Sequence, residues 1–163
     1  MRVDSIIGKG TSFSLYLPAL MQQNQMAGGL SGSQVRKGNG KILIMDDEEC
    51  IRELLDAMLS YLGYQTDSAG EGAEAVARYA KAKQAGQPYA AVIMDLTIPG
   101  GMGGKEAVIK LLEIDPAVKT IVSSGYSNDP VMADYRKYGF SGVVTKPFDT
   151  EQLSRVLHEV ING

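Results

Sequence analysis

The chain has 163 residues, enough for one ordinary domain and a tail, and its 16 basic and 19 acidic residues give a net charge of -3. This balance excludes a broad positive surface, so we expect no nucleic-acid partner and no direct contact with an anionic membrane. The single cysteine, Cys50, excludes an intramolecular disulfide and suits a reducing cytoplasm. We expect Cys50 to be a buried or half-buried filler on a helix. The sequence contains no run of 18 or more apolar residues, the length that predicts a membrane span. We therefore expect a cytoplasmic chain or the cytoplasmic end of a membrane-bound parent.

The first predicted element is a short strand over residues 11–17, in which Phe13, Leu15 and Leu17 alternate with polar residues before Pro18. Residues 22–39 follow and are rich in Gln, Asn, Gly and Ser, with little apolar periodicity. That composition predicts a flexible linker.

Downstream of residue 40, short apolar runs typical of buried strands alternate with amphipathic helical patterns. The first run covers residues 41–45 (KILIM), and apolar residues spaced three and four apart follow it until Gly63, which suits a helix end. The further predicted strands are 64–68, 89–95, 118–123 and 142–145, and the further predicted helices are 71–85, 104–114, 130–138 and 150–161. Five strands, each followed by a helix, predict a doubly wound α/β fold with a parallel sheet between two helix layers.

Polar side chains stand at the carboxyl ends of four of these strands, where function gathers in doubly wound sheets. These side chains are Asp46 and Asp47 after the first strand, Asp95 after the third, Ser123 and Ser124 after the fourth, and Thr145 and Lys146 after the fifth. Clustered carboxylates repel one another unless a cation compensates them, and Mg²⁺ accepts carboxylates while keeping waters that a phosphate can replace. Metal ligands, a carboxylate nucleophile, a hydroxyl and an ammonium are the groups that phosphoryl transfer requires.

Each of these residues also has an ordinary structural explanation. Asp46 or Asp47 alone is more often the cap of a following helix, and Ser124 or Lys146 alone suits a loop or a turn. Their combination at four successive strand ends favours a phosphoryl-transfer site over these alternatives.

From about Gly40 to Gly163, the sequence resembles the receiver domains of bacterial two-component response regulators. The resemblance is carried by the segments ILIMDDEECIRELL, AVIMDLTIPGGMGG, IVSSGYS and VVTKPF. It implies a flavodoxin-like five-stranded parallel sheet of order 2-1-3-4-5 with five helices. It also implies that a phosphoryl group comes from the phosphohistidine domain of a histidine kinase. We expect the readout to be either onward transfer to a histidine phosphotransfer protein or feedback on a kinase attached to the receiver.

Carried over by position, the resemblance implies an Mg²⁺ site. Its ligands would be Asp46, Asp47, Asp95 and the backbone carbonyl of Thr97. Mg²⁺ is thus the expected cofactor.

The same resemblance implies roles in phosphoryl transfer for three residues. Asp95 would be the phosphoacceptor, kept ionised by the metal and by Lys146, while Ser124 and Lys146 would each contact a phosphoryl oxygen. The Lys146-Pro147 peptide bond is expected to be cis.

The N-terminal segment RVDSIIGKGTSFSLYLPAL resembles the last strands of a histidine-kinase ATP-binding domain, with a generic exposed hairpin as the alternative. This resemblance implies that residues 1–21 are the end of such a domain, that 22–39 are the linker and that 40–163 are the receiver of a hybrid sensor histidine kinase. No complete ATP pocket can be built from Gly8, Gly10 and Thr11, so the kinase core is expected to lie outside this chain. The resemblance implies that the receiver promotes its own phosphorylation and dephosphorylation, and that histidine-kinase activity belongs to the parent protein.

Two other function classes fit the sequence less well. A haloacid-dehalogenase-like phosphatase also uses a strand-end Asp and Mg²⁺, but it normally has a second Asp where this chain has Thr97. A degenerate receiver that only binds a protein would not need the intact set of site residues. The glycine-rich residues 100–104 lack the ending of a P-loop and predict a turn, and His158 is expected on a solvated face of the last helix.

Overall fold

The computed structural model describes residues 2–14, 16, 36–125 and 129–163. The chain divides into two compact units, Met1–Gly32 and Ser33–Gly163. Leu15 and Leu17 of the predicted first strand and residues 22–35 of the predicted linker lie outside the described residues.

The first unit contains a two-stranded antiparallel hairpin. Strand β1 (Arg2–Ile6) pairs with β2 (Gly10–Ser14), and Gly8 in the turn has a φ of 79°. The hairpin agrees with the predicted strand over residues 11–14, and a second strand such as β1 belongs to both interpretations of the N-terminal segment, the last strands of a domain or an exposed hairpin. Val3 and Ile6 are exposed, so the hairpin buries little apolar surface of its own.

The second unit is built on a five-stranded parallel sheet. Its strands are β3 (Lys41–Met45), β4 (Gln65–Ala69), β5 (Ala91–Asp95), β6 (Thr120–Ser124) and β7 (Gly142–Thr145). Their order across the sheet is β4-β3-β5-β6-β7. This order confirms the predicted 2-1-3-4-5 arrangement, in which the first strand of the receiver is central.

Helices follow the strands on both faces of the sheet. They are α1 (Glu49–Tyr61), α2 (Gly72–Gln84), α3 (Gly104–Ile114), α4 (Pro130–Ala133) and α5 (Thr150–Asn162). The predicted helix 130–138 is wrong in one respect, because it divides into α4 and a 3₁₀ turn over Tyr135–Tyr138. Asp134 separates the two with a φ of -121° and a ψ of 37°, outside helical geometry. No helix in the described ranges is both long enough and apolar enough to cross a membrane.

Alternate side chains of the strands enter two separate cores. On β3, Leu43 and Met45 pack with α2 and α3, whereas Ile42 and Ile44 pack with α1 and α5. All four side chains are at most 1% exposed. A strand buried on both faces reads as a continuous apolar run, which is why KILIM was predictable as a strand.

Cys50 does not fill a core. It is exposed in the first turn of α1, because the face of this helix that packs on the sheet carries Leu55 and Leu59 instead. The prediction of a buried or half-buried cysteine is therefore wrong.

Residues 36–39, directly before β3, contact two helices of the second unit. The Ser154 hydroxyl of α5 accepts a hydrogen bond from the Arg36 N–H and donates one to the Arg36 carbonyl, both at 3.0 Å. The Gly38 N–H donates to the carbonyl of Leu62 at 2.9 Å, just beyond α1. The last residues of the predicted linker are thus held by hydrogen bonds that involve a buried serine.

Ser154→Ala is expected to lower the free energy of unfolding by about 1–2 kcal/mol, because Arg36 loses two hydrogen bonds. Amide exchange at residues 36–38 should accelerate more than exchange in β5. Chemical denaturation and hydrogen-exchange mass spectrometry check both effects. Ser60→Ala, on an exposed position of α1, is the control. Unchanged exchange at residues 36–38 would show that Ser154 does not hold this segment.

Candidate functional site

Four strand ends meet at one edge of the parallel sheet. Asp95 pairs in register with Ser123 across β5 and β6, and Ser124 pairs with Thr145 across β6 and β7. Asp46 follows the last residue of β3, whose Met45 pairs with Met94 of β5. The structure therefore brings together the residues that the sequence placed at the carboxyl ends of the strands.

Three carboxylates cluster at this edge. Asp46, Asp47 and Asp95 each offer an oxygen, and these oxygens lie within 4.8 Å of one another. Asp46 is 1% exposed, whereas Asp47 is open to solvent. A set of carboxylate oxygens with one open side fits Mg²⁺, which prefers oxygen ligands and keeps several waters.

Lys146 bridges the two least exposed carboxylates. Its Nζ lies 2.7 Å from Asp46 Oδ2 and 3.2 Å from Asp95 Oδ2, and its side chain is 17% exposed. Its backbone N–H donates to the Ser124 carbonyl at 3.0 Å, which ties the end of β7 to that of β6. The Lys146-Pro147 peptide bond is cis, as predicted.

The contact between Lys146 and Asp95 affects the pKa of each of these two groups. Burial raises the pKa of Asp95 above its ordinary value, and the Lys146 ammonium, which lowers this pKa, offsets burial only in part. Burial alone would lower the pKa of Lys146, but its contacts with Asp46 and Asp95 outweigh burial and raise it. One ammonium therefore does not compensate the cluster fully. A bound cation would favour the ionised form of Asp95 further.

The loop between β3 and α1 is held by Asp46 and by a residue that the sequence reasoning missed. Asp46 Oδ1 accepts a hydrogen bond from the Glu48 N–H at 3.0 Å, next to the start of α1. The helix-cap alternative for Asp46 is wrong, because the N-cap of α1 is Glu48, and the other oxygen of Asp46 contacts Lys146. Arg52 of α1 donates from Nη1 to the carbonyls of Asp46 and Asp47 at 2.7 and 3.0 Å. The only signal for this contact in the sequence is the presence of an Arg near the start of the helix that follows the acidic pair.

The family model for the response regulator receiver domain matches residues 42–158 of this chain. The chain belongs to the receiver domain family. It is 31% identical to the chemotaxis protein CheY of Thermotoga maritima over 121 residues, which are 74% of this chain and 96% of that protein. It is 26% identical to the sensor kinase CckA of Brucella abortus over 97% of this chain but only 17% of that protein. The chain therefore spans about a sixth of this longer relative.

A solved structure shows the same fold. The receiver domain of the sensor histidine kinase PA1611 from Pseudomonas aeruginosa PAO1 has a TM-score of 0.67 and 23% identity, over 77% of this chain and 100% of that one. A magnesium ion is coordinated in the active-site cleft of that protein.

Two further predicted site residues lie in the receiver where the sequence placed them. Ser124 ends β6 and is 4% exposed, next to the strand that leads to Lys146. Thr97 is exposed in the loop after Asp95 and before α3. Their roles toward a phosphoryl group and a metal ion remain predictions.

The glycine-rich loop of the receiver packs directly on the end of β5. A Cβ on Gly104 would lie 2.8 Å from the Asp95 carbonyl, and one on Gly103 would lie 2.6 Å from that of Leu96. The Gly104 N–H donates to the Leu96 carbonyl at 3.2 Å. The glycine-rich loop is a turn before α3, as predicted. Because glycine has no side chain, α3 can begin in direct contact with the backbone of β5, the strand that carries Asp95.

His158 takes no part in the strand-end cluster. It is half-buried on α5, and its Nδ1 lies 3.0 Å from Asn162 Nδ2 on the next turn. It lines a cleft of about 290 Å³ together with Arg36 and Tyr64. The expected solvated helix face is thus only partly open to solvent.

Proposed function

We propose that Asp95 accepts a phosphoryl group from the phosphohistidine of a histidine kinase in an Mg²⁺-dependent reaction. Membership of the receiver family establishes a phospho-accepting role in two-component signalling. The observation that carries the proposal for this chain is the cluster of three carboxylates, in which Lys146 bridges Asp46 and Asp95. A metal site, a carboxylate nucleophile and a cation are thus within reach of one phosphoryl group.

In this reaction an oxygen of Asp95 attacks the phosphorus atom, and the bond from phosphorus to the histidine nitrogen breaks. The electrons of that bond return to the imidazole, which takes a proton, and an acyl phosphate forms on Asp95. Lys146 pairs with one phosphoryl oxygen, and the Ser124 hydroxyl donates a hydrogen bond to another. Mg²⁺, when bound, supplies further positive charge to the phosphoryl oxygens.

The residues that would hold Mg²⁺ are Asp46, Asp47, Asp95 and the backbone carbonyl of Thr97. Asp47 is the most informative residue to change, because its side chain is exposed and lies outside the ion pairs of Lys146.

Asp47→Ala is expected to lower the affinity for Mg²⁺ by about tenfold or more, because one ligand oxygen is lost. The fold should persist, since the change removes repulsion between carboxylates without opening a core. Calorimetric titration with MgCl₂ measures the affinity. Glu49→Ala, an exposed carboxylate in the first turn of α1, is the matched control. Equal affinities for the two variants would place the metal elsewhere.

We further propose that the chain comes from a hybrid sensor histidine kinase, with residues 1–21 as the end of its ATP-binding domain. The similarity to CckA supports this, because it covers 97% of the chain and extends upstream of the receiver match. The expected partners are a phosphohistidine domain and a histidine phosphotransfer protein, and the expected location is the cytoplasm.

The proposal is tested with a phosphorylated histidine-kinase domain of the CckA type and this chain. Radiolabel should pass to the chain when Mg²⁺ is present, and a chelator should stop the transfer. Turnover of p-nitrophenyl phosphate without a stable phosphoprotein would instead favour the phosphatase alternative.

A further inference from the structure

We infer that Arg52 is a positioning residue that holds the acidic pair in the arrangement that binds metal. The inference rests on the proposed Mg²⁺-dependent function and deepens it. Arg52 Nη1 donates to the Asp46 carbonyl at 2.7 Å and to the Asp47 carbonyl at 3.0 Å. This nitrogen has two N–H groups, so one guanidinium holds two consecutive peptide units of the loop.

Asp47 depends most on this contact. In the part of the chain that the structure describes, Asp47 is held through its backbone carbonyl, whereas its exposed carboxylate makes no hydrogen bond or ion pair. The direction of its Cα–Cβ bond follows from the backbone, so the Arg52 contact limits the region that the carboxylate can reach by side-chain rotation. Without it, the Asp47 oxygen would lose its fixed place within 4.8 Å of the other two.

Asp46 is held by four contacts, and Arg52 provides one of them. Its Oδ1 accepts from the Glu48 N–H at 3.0 Å, its Oδ2 contacts Lys146 at 2.7 Å, and its carbonyl accepts from Arg52. The Asp46 N–H also donates to the Ala69 carbonyl at 3.1 Å. Loss of Arg52 should therefore displace Asp47 more than Asp46.

The charge of the guanidinium acts in the opposite direction, because a cation beside the acidic loop repels Mg²⁺. Arg52 lies beside a loop that carries two carboxylates, so a weaker affinity in Arg52→Met would report the lost hydrogen bonds rather than the lost charge. Partners that orient metal ligands in this way typically change metal affinity by 10–100-fold when they are removed. Arg52 contacts carbonyls rather than the metal itself, so its effect comes through the position of the ligands.

Arg78 offers a matched control on the same side of the molecule. Arg52 and Arg78 both line a cleft of about 430 Å³ between α1, β4 and α2. The Arg78 guanidinium, however, contacts Glu74 at 2.8 Å and not the acidic loop. Arg78→Met therefore removes the same type of group from the same cleft without releasing Asp46 or Asp47.

The test compares Mg²⁺ affinities of the full chain by calorimetry. Arg52→Met is expected to bind MgCl₂ about tenfold more weakly than the unaltered chain, whereas Arg78→Met should keep its affinity. Arg52→Lys, which keeps a cation and N–H donors, should lie between Arg52→Met and the unaltered chain. Backbone amide exchange at Glu48 should also accelerate in Arg52→Met, because the loop that positions its acceptor is released.

Equal affinities of Arg52→Met and Arg78→Met would overturn the inference. If Arg52→Met does not fold, Arg52→Lys decides, since an affinity equal to that of the unaltered chain would also overturn it. Failure of the proposed function is a separate outcome, because the unaltered chain itself would then bind no Mg²⁺ at millimolar concentration.

Discussion

Asp95→Asn is expected to take up no phosphoryl group from acetyl phosphate, whereas the unaltered chain takes up one. A small donor brings no protein surface, so uptake depends on the receiver's own groups: the carboxylate cluster, Lys146 and the metal. An amide oxygen is a far weaker nucleophile than a carboxylate, so the rate should fall by about 100-fold or more. Intact-mass measurement after incubation with acetyl phosphate and MgCl₂ gives the number of groups added.

The control for this experiment is Asp134→Asn. Asp134 is an exposed carboxylate whose partner is Lys137 at 2.7 Å, and it lies outside the strand-end cluster. It should accept one phosphoryl group like the unaltered chain. Equal uptake by Asp95→Asn and the unaltered chain would show that another residue is the nucleophile.

The strand ends of the site could be predicted because they depend on local patterns and on one topological rule. The apolar run of β3 and the helix α3 have the predicted bounds, since each is delimited by adjacent polar or glycine residues. Parallel strands place their carboxyl ends at one edge, so Asp46, Asp95 and Lys146 could be brought together without coordinates. The order of the strands came from the family resemblance rather than from these patterns.

Some of the missed features depend on contacts between distant residues, and others depend on local geometry that spacing does not reveal. Ser154 holds Arg36 across 118 positions of the chain, and hydrogen bonds of this kind leave no periodic pattern. The contact of Arg52 with two carbonyls is closer in sequence, but it requires a particular side-chain direction that spacing alone does not reveal. The break at Asp134 likewise depends on the local backbone conformation, in a segment whose apolar pattern predicted one continuous helix.

The sequence placed Lys146 near the acidic residues but did not say which of them it contacts. The structure shows a bridge between Asp46 and Asp95, with Asp46 only 1% exposed. Lys146 thus already occupies, in part, the electrostatic position of a metal ion. Removing Lys146 should therefore change both the free energy of unfolding and the effect of Mg²⁺ on that free energy.

Lys146→Met is expected to lower the free energy of unfolding of the metal-free chain by about 3 kcal/mol, because removing one partner leaves a buried carboxylate without its cation. Met keeps most of the aliphatic length, so the loss reports on charge rather than on packing. Urea denaturation in the presence of a chelator measures it. Lys137→Met, whose side chain is 74% exposed, is the control and should change stability by less than about 0.5 kcal/mol.

Mg²⁺ should restore part of the stability that Lys146→Met loses. A cation bound to Asp46, Asp47 and Asp95 compensates the same carboxylates, and binding to the folded state alone stabilises that state by mass action. The increase in unfolding free energy on adding MgCl₂ should therefore be larger for Lys146→Met than for the unaltered chain. Phosphorylation should not recover in the same way, because the ammonium proposed to pair with a phosphoryl oxygen is still missing. An equal effect of MgCl₂ on both proteins would mean that Lys146 and the metal ion compensate different charges.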